Sequence, residues 1–270
     1  MAKNALITLT TDFGLSDHFV GAMKGVIAGI APAARVVDIT HGVAPYNVNE
    51  AAFLLSQTWP CFPKGTIHVV VVDPGVGSTR KPLLVEAGGQ YFVGPDNGVF
   101  SLLYDSAPHK VRVLSNPKMM RRKISRTFHG RDVFAPAAAH LAKGTKPAVF
   151  GKSMGDYVRM PSLTPEQMAS HTWRGAILKV DRFGNLITNF PEKDFEDVKT
   201  RPFELRAAQE RIHRLALNYS ETEPGEIFVI VGSSGYLEIA ANQASAAEKL
   251  GYSADSPIEL EIFMTPARRG

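Results

Sequence analysis

Ala5-Leu6-Ile7-Thr8-Leu9-Thr10, with Asp12 just past its end, and Ile67-His68-Val69-Val70-Val71-Val72, running into Asp73-Pro74-Gly75, are the stretches that decide the fold. Each is apolar or β-branched on both alternations. That is the pattern of a strand buried on both faces, and such strands occur in parallel sheets covered by helices. Between them, Phe19 to Ile30 has apolar residues at helical spacing behind a candidate N-cap, Asp17, and it stops at Ala31-Pro32 because proline cannot continue the ladder. Arg35 to Ile39 reads as the next strand and Asn49 to Thr58 as the next helix. Strands alternating with helices predict a parallel sheet. Leu83 to Ala87 and Tyr91 to Gly94 flank Gly88-Gly89-Gln90 as a hairpin, which makes the sheet mixed, and Asp132 to Lys143 is an Ala-rich helix ending at Gly144.

Beyond it, the stretch Gly151 to Thr172 is rich in Pro, Ser, Met and Gly and has no clear period. After Trp173 come short strands: Ala176 to Val180, Leu186 to Asn189, a run near Phe203 to Leu205, Glu226 to Val231, Leu237 to Ala240 and Ile258 to Phe263. Their spacing suggests a small barrel or sandwich. The expected architecture is an α/β N-terminal domain with a mostly parallel or mixed sheet (1–155), a linker (156–172) and an all-β C-terminal barrel domain (173–270).

The chain has 270 residues, 44% hydrophobic and 21% charged, the balance of a folded globular protein. A formal charge of +4, with clustering only at Arg121, Arg122, Lys123 and Arg126, is too mild for nucleic-acid binding. Cys61 is the only cysteine, which excludes an intrachain disulfide and a thiolate metal cluster and fits a reducing cytosol. No secretion signal is visible, and the apolar runs fall far short of the roughly 20 residues that cross a bilayer. A cytoplasmic protein without a membrane segment is expected.

Ligands of open α/β sheets collect beyond the carboxyl ends of the parallel strands, where Asp12 and Asp73 both stand. Capping of a helix or turn is the ordinary use of such an Asp. The loop Asp73-Pro74-Gly75-Val76-Gly77-Ser78-Thr79-Arg80 lacks the Walker and dinucleotide glycine patterns, but Arg80 is near enough to fold back on Asp73 as its charge partner. His129, in Thr127-Phe128-His129-Gly130-Arg131-Asp132, precedes a helix and suits either a site or a turn cap. No two histidines have metal-ligand spacing, although Asp12, Asp17, His18, Asp73 and His129 could in principle supply oxygen and nitrogen ligands. In the second domain, Asp181-Arg182-Phe183-Gly184-Asn185 groups an acid, an aromatic face and an amide around a turn, and Gly232-Ser233-Ser234-Gly235-Tyr236 and Asn242 repeat that theme. An ordinary β-turn is the alternative there.

Taken together, Thr10-Thr11-Asp12-Phe13-Gly14, Asp73-Pro74-Gly75-Val76-Gly77, Gly94-Pro95-Asp96-Asn97-Gly98, Phe128-His129-Gly130-Arg131-Asp132 and Asp181-Arg182-Phe183-Gly184-Asn185 resemble, in order, the motifs of the S-adenosylmethionine hydroxide adenosyltransferases, relatives of the fluorinating and chlorinating enzymes. The resemblance runs along nearly the whole chain. It implies an α/β domain joined to a β-barrel domain, and a homotrimer with active sites between neighbouring subunits. It also implies hydrolysis of S-adenosyl-L-methionine to adenosine and L-methionine by water or hydroxide at the ribose 5′ carbon, with no metal and no cofactor. By the same resemblance Asp73, Arg80 and His129 are catalytic and Asp12 holds the ribose hydroxyls. Tyr46 lies against the ribose, Phe183 and Asn185 near the adenine, Asn242 on its edge, and Asp181 and Ser233 near the methionine amino-acid group. The halogenating relatives have an arginine where this chain has Ser234 and a hydroxyl-bearing aromatic where it has Asp73. A carboxylate there repels a halide but accepts a hydrogen bond from water. The competing expectations are a metal-dependent nucleotide or phosphoester hydrolase using Asp12, Asp73 and His129, and a non-catalytic adenosine- or S-adenosylmethionine-binding module.

Overall fold

A computed structural model of the chain describes residues 5–161 and 164–264. It divides into two compact units, Met1–Pro161 and Ser162–Gly270. The first contains β1 (Leu6–Thr11), α1 (Phe19–Ile30), β2 (Arg35–Thr40), α2 (Val48–Thr58), β3 (Ile67–Val71), β4 (Pro82–Ala87), β5 (Gln90–Pro95), α3 (Ser101–Ser106), β6 (His109–Val113), a π-helical turn (Gly130–Phe134) that runs into α4 (Ala135–Ala142), and β7 (Ser153–Met154). One seven-stranded sheet has the order β2-β1-β3-β5-β4-β6-β7. Its pairs β1/β2, β1/β3 and β3/β5 are parallel, and β4, β6 and β7 add antiparallel pairs, so the sheet is mixed as expected.

The double-faced reading of β1 and β3 holds. Val69 and Val71 pack with α1 and α4 residues such as Met23 and Ala138, whereas Val70 and Val72 pack with Leu55 and Leu103 on the other face. At roughly 1.5–3 kcal/mol per buried side chain, this alternation fixes the register against slippage. Inside the sheet, the Gln90 amide donors are spent: its Nε2 donates to the carbonyls of Trp59 and Phe62, leaving Oε1 to accept from His68 Nε2 at 2.5 Å. His68 Nδ1 then accepts from the Thr8 hydroxyl at 2.8 Å. Burial, only partly opposed by the Gln90 bond, pushes the His68 pKa down to about 4, so the ring is neutral at pH 7.

Several details differ from expectation. His18, not Asp17, is the residue before α1, and its side chain makes no capping bond. β6 and β7 were not anticipated, and the Ala-rich helix begins with the π turn.

The second unit contains β8 (Glu166–Ala169), β9 (Thr172–Val180), β10 (Leu186–Pro191), β11 (Phe203–Ala207), β12 (Glu210–Ile212), β13 (Leu215–Ala216), β14 (Ile227–Val231), β15 (Tyr236–Ala241), α5 (Ala246–Leu250) and β16 (Pro257–Ile262). A nine-stranded sheet runs β12-β11-β16-β9-β10-β15-β14-β13, with β8 paired to β9. The unit is β-rich but not all β, because α5 packs Ala246 and Leu250 into the core with Leu237 and Ile239. No strand pair closes the path into a barrel among the described residues. Within the expected linker 156–172, Glu166–Ala169 is a strand, held by antiparallel pairing to β9 despite full exposure. Among the described residues no helix is long and apolar enough to cross a membrane.

Candidate active site

Chain order places β2 on one side of β1 and β3 on the other, so the crossover direction reverses between β1 and β3. Open α/β sheets form a crevice at such a point. Thr11 and Val71 are register partners there. Asp12 directly follows the first, and Val72-Asp73 follow the second. The Asn97 side-chain amide donates to the Val72 carbonyl at 2.8 Å and so ties the turn after β5 to the same edge.

Asp12 Oδ2 accepts the Tyr46 N–H at 2.9 Å. Tyr46 has φ +67° and is 72% exposed. For a bulky side chain that backbone costs about 1–2 kcal/mol, which the charge-assisted bond offsets while it presents the ring outward. Each oxygen of Asp12 retains acceptor capacity for hydroxyl hydrogens.

Asp73, Arg80 and His129 form one connected group. Arg80 Nε donates to Asp73 Oδ1 at 2.9 Å, and Arg80 Nη2 donates to Asp73 Oδ2 and to His129 Nδ1, the latter at 2.7 Å. The side chains of Arg80 and Asp73 are only 8% and 5% exposed, so this is a largely desolvated, two-pronged ion pair. Arg80 Nη1 is buried and has no hydrogen-bond partner among the described residues. Burial and the Arg80 charge lower the proton affinity of His129, against the pull of Asp73 and Asp132. Because a guanidinium only donates, Nδ1 must carry a lone pair, and neutral His129 holds its proton on Nε2. The loop returns to Asp73 through Gly77, at φ +79°, where a Cβ would collide with the Arg126 carbonyl.

In the second unit a cavity of about 880 Å³ is lined by Asp181, Phe183, Asn185, Ser233, Glu238 and Asn242, among others, with no Lys, Arg or His. Asp181 is engaged in its own turn: Oδ1 accepts the N–H of Phe183 and of Asn185, each at 2.8 Å, and Oδ2 accepts Asn185 Nδ2 at 2.8 Å. Asn185 Nδ2 also donates to the Tyr219 hydroxyl at 3.2 Å, so the acceptor Oδ1 is the end of this amide suited to a ligand N–H. Asn242 is oriented likewise, its Nδ2 donating to the Thr222 carbonyl at 2.5 Å. Phe183 is 78% exposed.

Sequence reading missed Glu238. It is 7% exposed on β15, accepts from the Ser234 hydroxyl at 3.2 Å and occupies the space a Cβ on Gly232 would need. Burial, opposed by Ser234 but reinforced by the Asp181 charge, raises its proton affinity. The available signal was an acid between Leu237 and Ile239 in a strand otherwise apolar to Ala241. Asp12, Asp17, His18, Asp73 and His129 do not assemble into a group of three able to hold a metal among the described residues.

Two family models match the chain, the SAM hydroxide adenosyltransferase N-terminal domain over residues 7–151 and the corresponding C-terminal domain over residues 175–259. A Salinispora arenicola protein named (R)-S-adenosyl-L-methionine hydrolase is 41% identical over 93% of this chain and 95% of its own. A Thermus thermophilus protein of the same name is 37% identical over 93% and 97%. The crystal structure of an uncharacterized conserved protein from Thermotoga maritima superimposes with a TM-score of 0.87 at 35% identity, covering 94% of this chain and 99% of the other. With both domain models and full-length relatives in agreement, this chain belongs to the SAM hydroxide adenosyltransferase family.

Proposed function

We propose that the protein hydrolyses S-adenosyl-L-methionine, of the (R) form for which its relatives are named, to adenosine and L-methionine. The observation that carries this reading is the buried Asp73–Arg80–His129 group with its unspent donor, Arg80 Nη1. Water oxygen forms a bond to the ribose 5′ carbon as the carbon–sulfur bond breaks. The bonding pair leaves on sulfur, which becomes the neutral thioether of methionine, and one water proton is released.

A sulfonium leaves readily, so the site's task is to hold water in line with the breaking bond, and orientation alone can supply much of the acceleration. Asp73 accepts a hydrogen bond from that water, Arg80 fixes both carboxylate oxygens, and His129 holds Arg80 in turn. With Nδ1 accepting from Arg80, His129 positions the guanidinium and is not the base. Asp12 accepts the ribose hydroxyls and Tyr46 covers the sugar. The acceptor oxygens of Asn185 and Asn242 read adenine N–H groups while Phe183 stacks on the base, and Ser233 lies by the amino-acid group. Asp181, with three acceptor positions held by its turn, shapes this pocket and keeps a position on Oδ2 for the amino-acid group, and Glu238 adds negative charge toward the cationic substrate. No cofactor is required.

A homotrimer with active sites between neighbouring subunits belongs to the same reading. Leu15, Tyr46, Phe183 and Leu217, large apolar side chains left exposed on the protomer, support it. The lone, unpaired Cys61 supports a reducing cytoplasm.

Incubation of each sulfur epimer in oxygen-18 water, with and without chloride and with and without chelator, tests the reaction. Label is expected in the adenosine 5′ hydroxyl from the (R) epimer under every condition, and little or none from the (S) epimer. A 5′-chlorinated nucleoside, or loss of turnover on chelation, would overturn it.

A further inference from the structure

The basic cluster that the proposed reaction does not use is folded into a second pocket. A cavity of about 380 Å³ in the N-terminal unit is lined by Arg121, Lys123, Ser125 and Arg131. Two of these residues, Arg121 and Arg131, pair with Asp132, whose side chain is fully buried. Arg131 grips both oxygens of this carboxylate, through Nε at 2.7 Å and Nη2 at 2.9 Å. Arg121 Nη1 adds a bond at 3.2 Å and the Ser125 N–H another at 2.8 Å, while the Arg121 N–H donates to the Asp132 carbonyl at 2.9 Å. Burial alone would raise the Asp132 pKa, but Arg131 and the Ser125 N–H more than reverse it, and the group stays ionised.

One carboxylate therefore pins both ends of the 121–132 segment and fixes the walls of the pocket, yet it neutralises only one of three cations. Arg131 alone satisfies its geometry. Arg121 keeps guanidinium N–H groups to spare, and Lys123 makes no ion pair among the described residues. Cation–π contact with the Phe128 ring, 4.9 Å from the Arg131 carbon Cζ, further restrains that wall. Fixed forked donors, an ammonium and a hydroxyl around a concave surface of net positive charge match the tetrahedral oxygens of a dianion better than a spherical halide.

We propose that this pocket is a binding site for a phosphate-class dianion, either inorganic phosphate or the terminal group of a phosphomonoester, held by Arg121, Lys123, Arg131 and the Ser125 hydroxyl. None of these four residues belongs to the Asp73–Arg80–His129 group, and the proposal does not depend on the proposed reaction.

Calorimetric titration of the full chain with inorganic phosphate, and separately with glycerol phosphate, at constant ionic strength set by sodium chloride tests it. Saturable binding of one equivalent is expected, and the ratio of the two affinities identifies the source. The double variant Arg121→Gln/Lys123→Gln should weaken binding at least about tenfold, while Arg122→Gln/Arg126→Gln, which removes the same charge from the same loop outside the pocket, should change it less than about twofold. Lys123→Gln alone, exposed and unpaired, keeps the question decidable if loss of Arg121 loosens the loop, and about threefold weakening is expected of it. Non-saturable uptake of both anions, or equal weakening by the two double variants, would overturn the site in favour of general charge attraction.

Discussion

At the β1/β3 edge of the N-terminal unit, the key carboxylate is answered by a distant side chain: Asp73 by Arg80, which in turn reaches His129. In the cavity of the C-terminal unit, Asp181 is answered by its own turn, through two backbone N–H groups and the amide of Asn185. The first arrangement leaves a guanidinium nitrogen unspent, and the second leaves a different acid, Glu238, with its proton affinity raised. The contrast separates two kinds of work. A side-chain network that retains hydrogen-bonding capacity can handle a water molecule, whereas a turn closed upon itself gives a pocket its shape and lets a neighbouring acid supply the charge.

The largest expected effect lies in the first region. Asp73→Asn keeps the side-chain volume but removes the charge proposed to align water, and kcat should fall about a thousandfold with KM within about threefold. Alanine is the poorer test, because it adds a void and removes every acceptor for Arg80 to the lost charge that both variants share, and breaking a buried pair in this way costs about 3–5 kcal/mol in its own right. Single-turnover kinetics with a melting curve on the same sample would check this. A variant whose KM rises while kcat holds would erase the distinction between the regions.

Asp181→Ala attacks the closed turn. It unties three hydrogen bonds and should lower stability by about 2 kcal/mol, seen in urea unfolding. Loss of adenine binding should follow from the disordered Asn185 rather than from a missing charge, so Asp181→Asn, which keeps an acceptor oxygen, should recover most of both. Glu238→Gln is its converse. It should leave stability nearly unchanged, keep kcat, and raise KM about tenfold by removing the negative charge proposed to meet the cationic substrate. A drop in kcat with unchanged KM would move Glu238 into the chemistry.

What the sequence made legible follows from the same contrast. β1 and β3 are readable because both alternations are apolar, and their ends place Asp12 and Asp73 at one edge by period alone. The Asp73–Arg80 partnership was legible because only six residues separate the two within a short loop. His129 needed the resemblance, since nothing local distinguishes a turn-capping histidine from one that reaches a guanidinium. β8, β12 and β13 escaped because they are short and owe their strand geometry to pairing with a neighbour, which no local pattern records. The resemblance puts Asp181 near the methionine amino-acid group, which the chemistry of a carboxylate allows. That its oxygens are engaged at home is a fact of turn geometry. Glu238 hid inside an apolar strand, where acids are rare enough that the anomaly itself was the clue.

The smallest effect, and the one that tells the two regions apart within a single experiment, is pH. His129 has a folded-state pKa below its ordinary 6.5, so it is neutral at pH 7 and takes a proton only in acid. The unfolded chain takes that proton first as pH falls below 6.5. His129 therefore subtracts stability in the window between the unfolded and folded values and subtracts no more below it. Protonation also turns Nδ1 from acceptor to donor against Arg80, which breaks the tie that holds the guanidinium. Between pH 7 and 8 kcat should vary by less than about twofold, with an acid limb only below the usual histidine range. His129→Gln offers Arg80 a non-titrating acceptor and should abolish that limb while keeping measurable turnover. Glu238 titrates in the opposite sense from its reference, its affinity raised, and protonating it should weaken binding of the cation. An acid limb in kcat that His129→Gln removes, beside an acid limb in KM that Glu238→Gln removes, would assign chemistry to one region and recognition to the other. If both limbs survive both substitutions, the titrating group lies elsewhere and neither assignment stands.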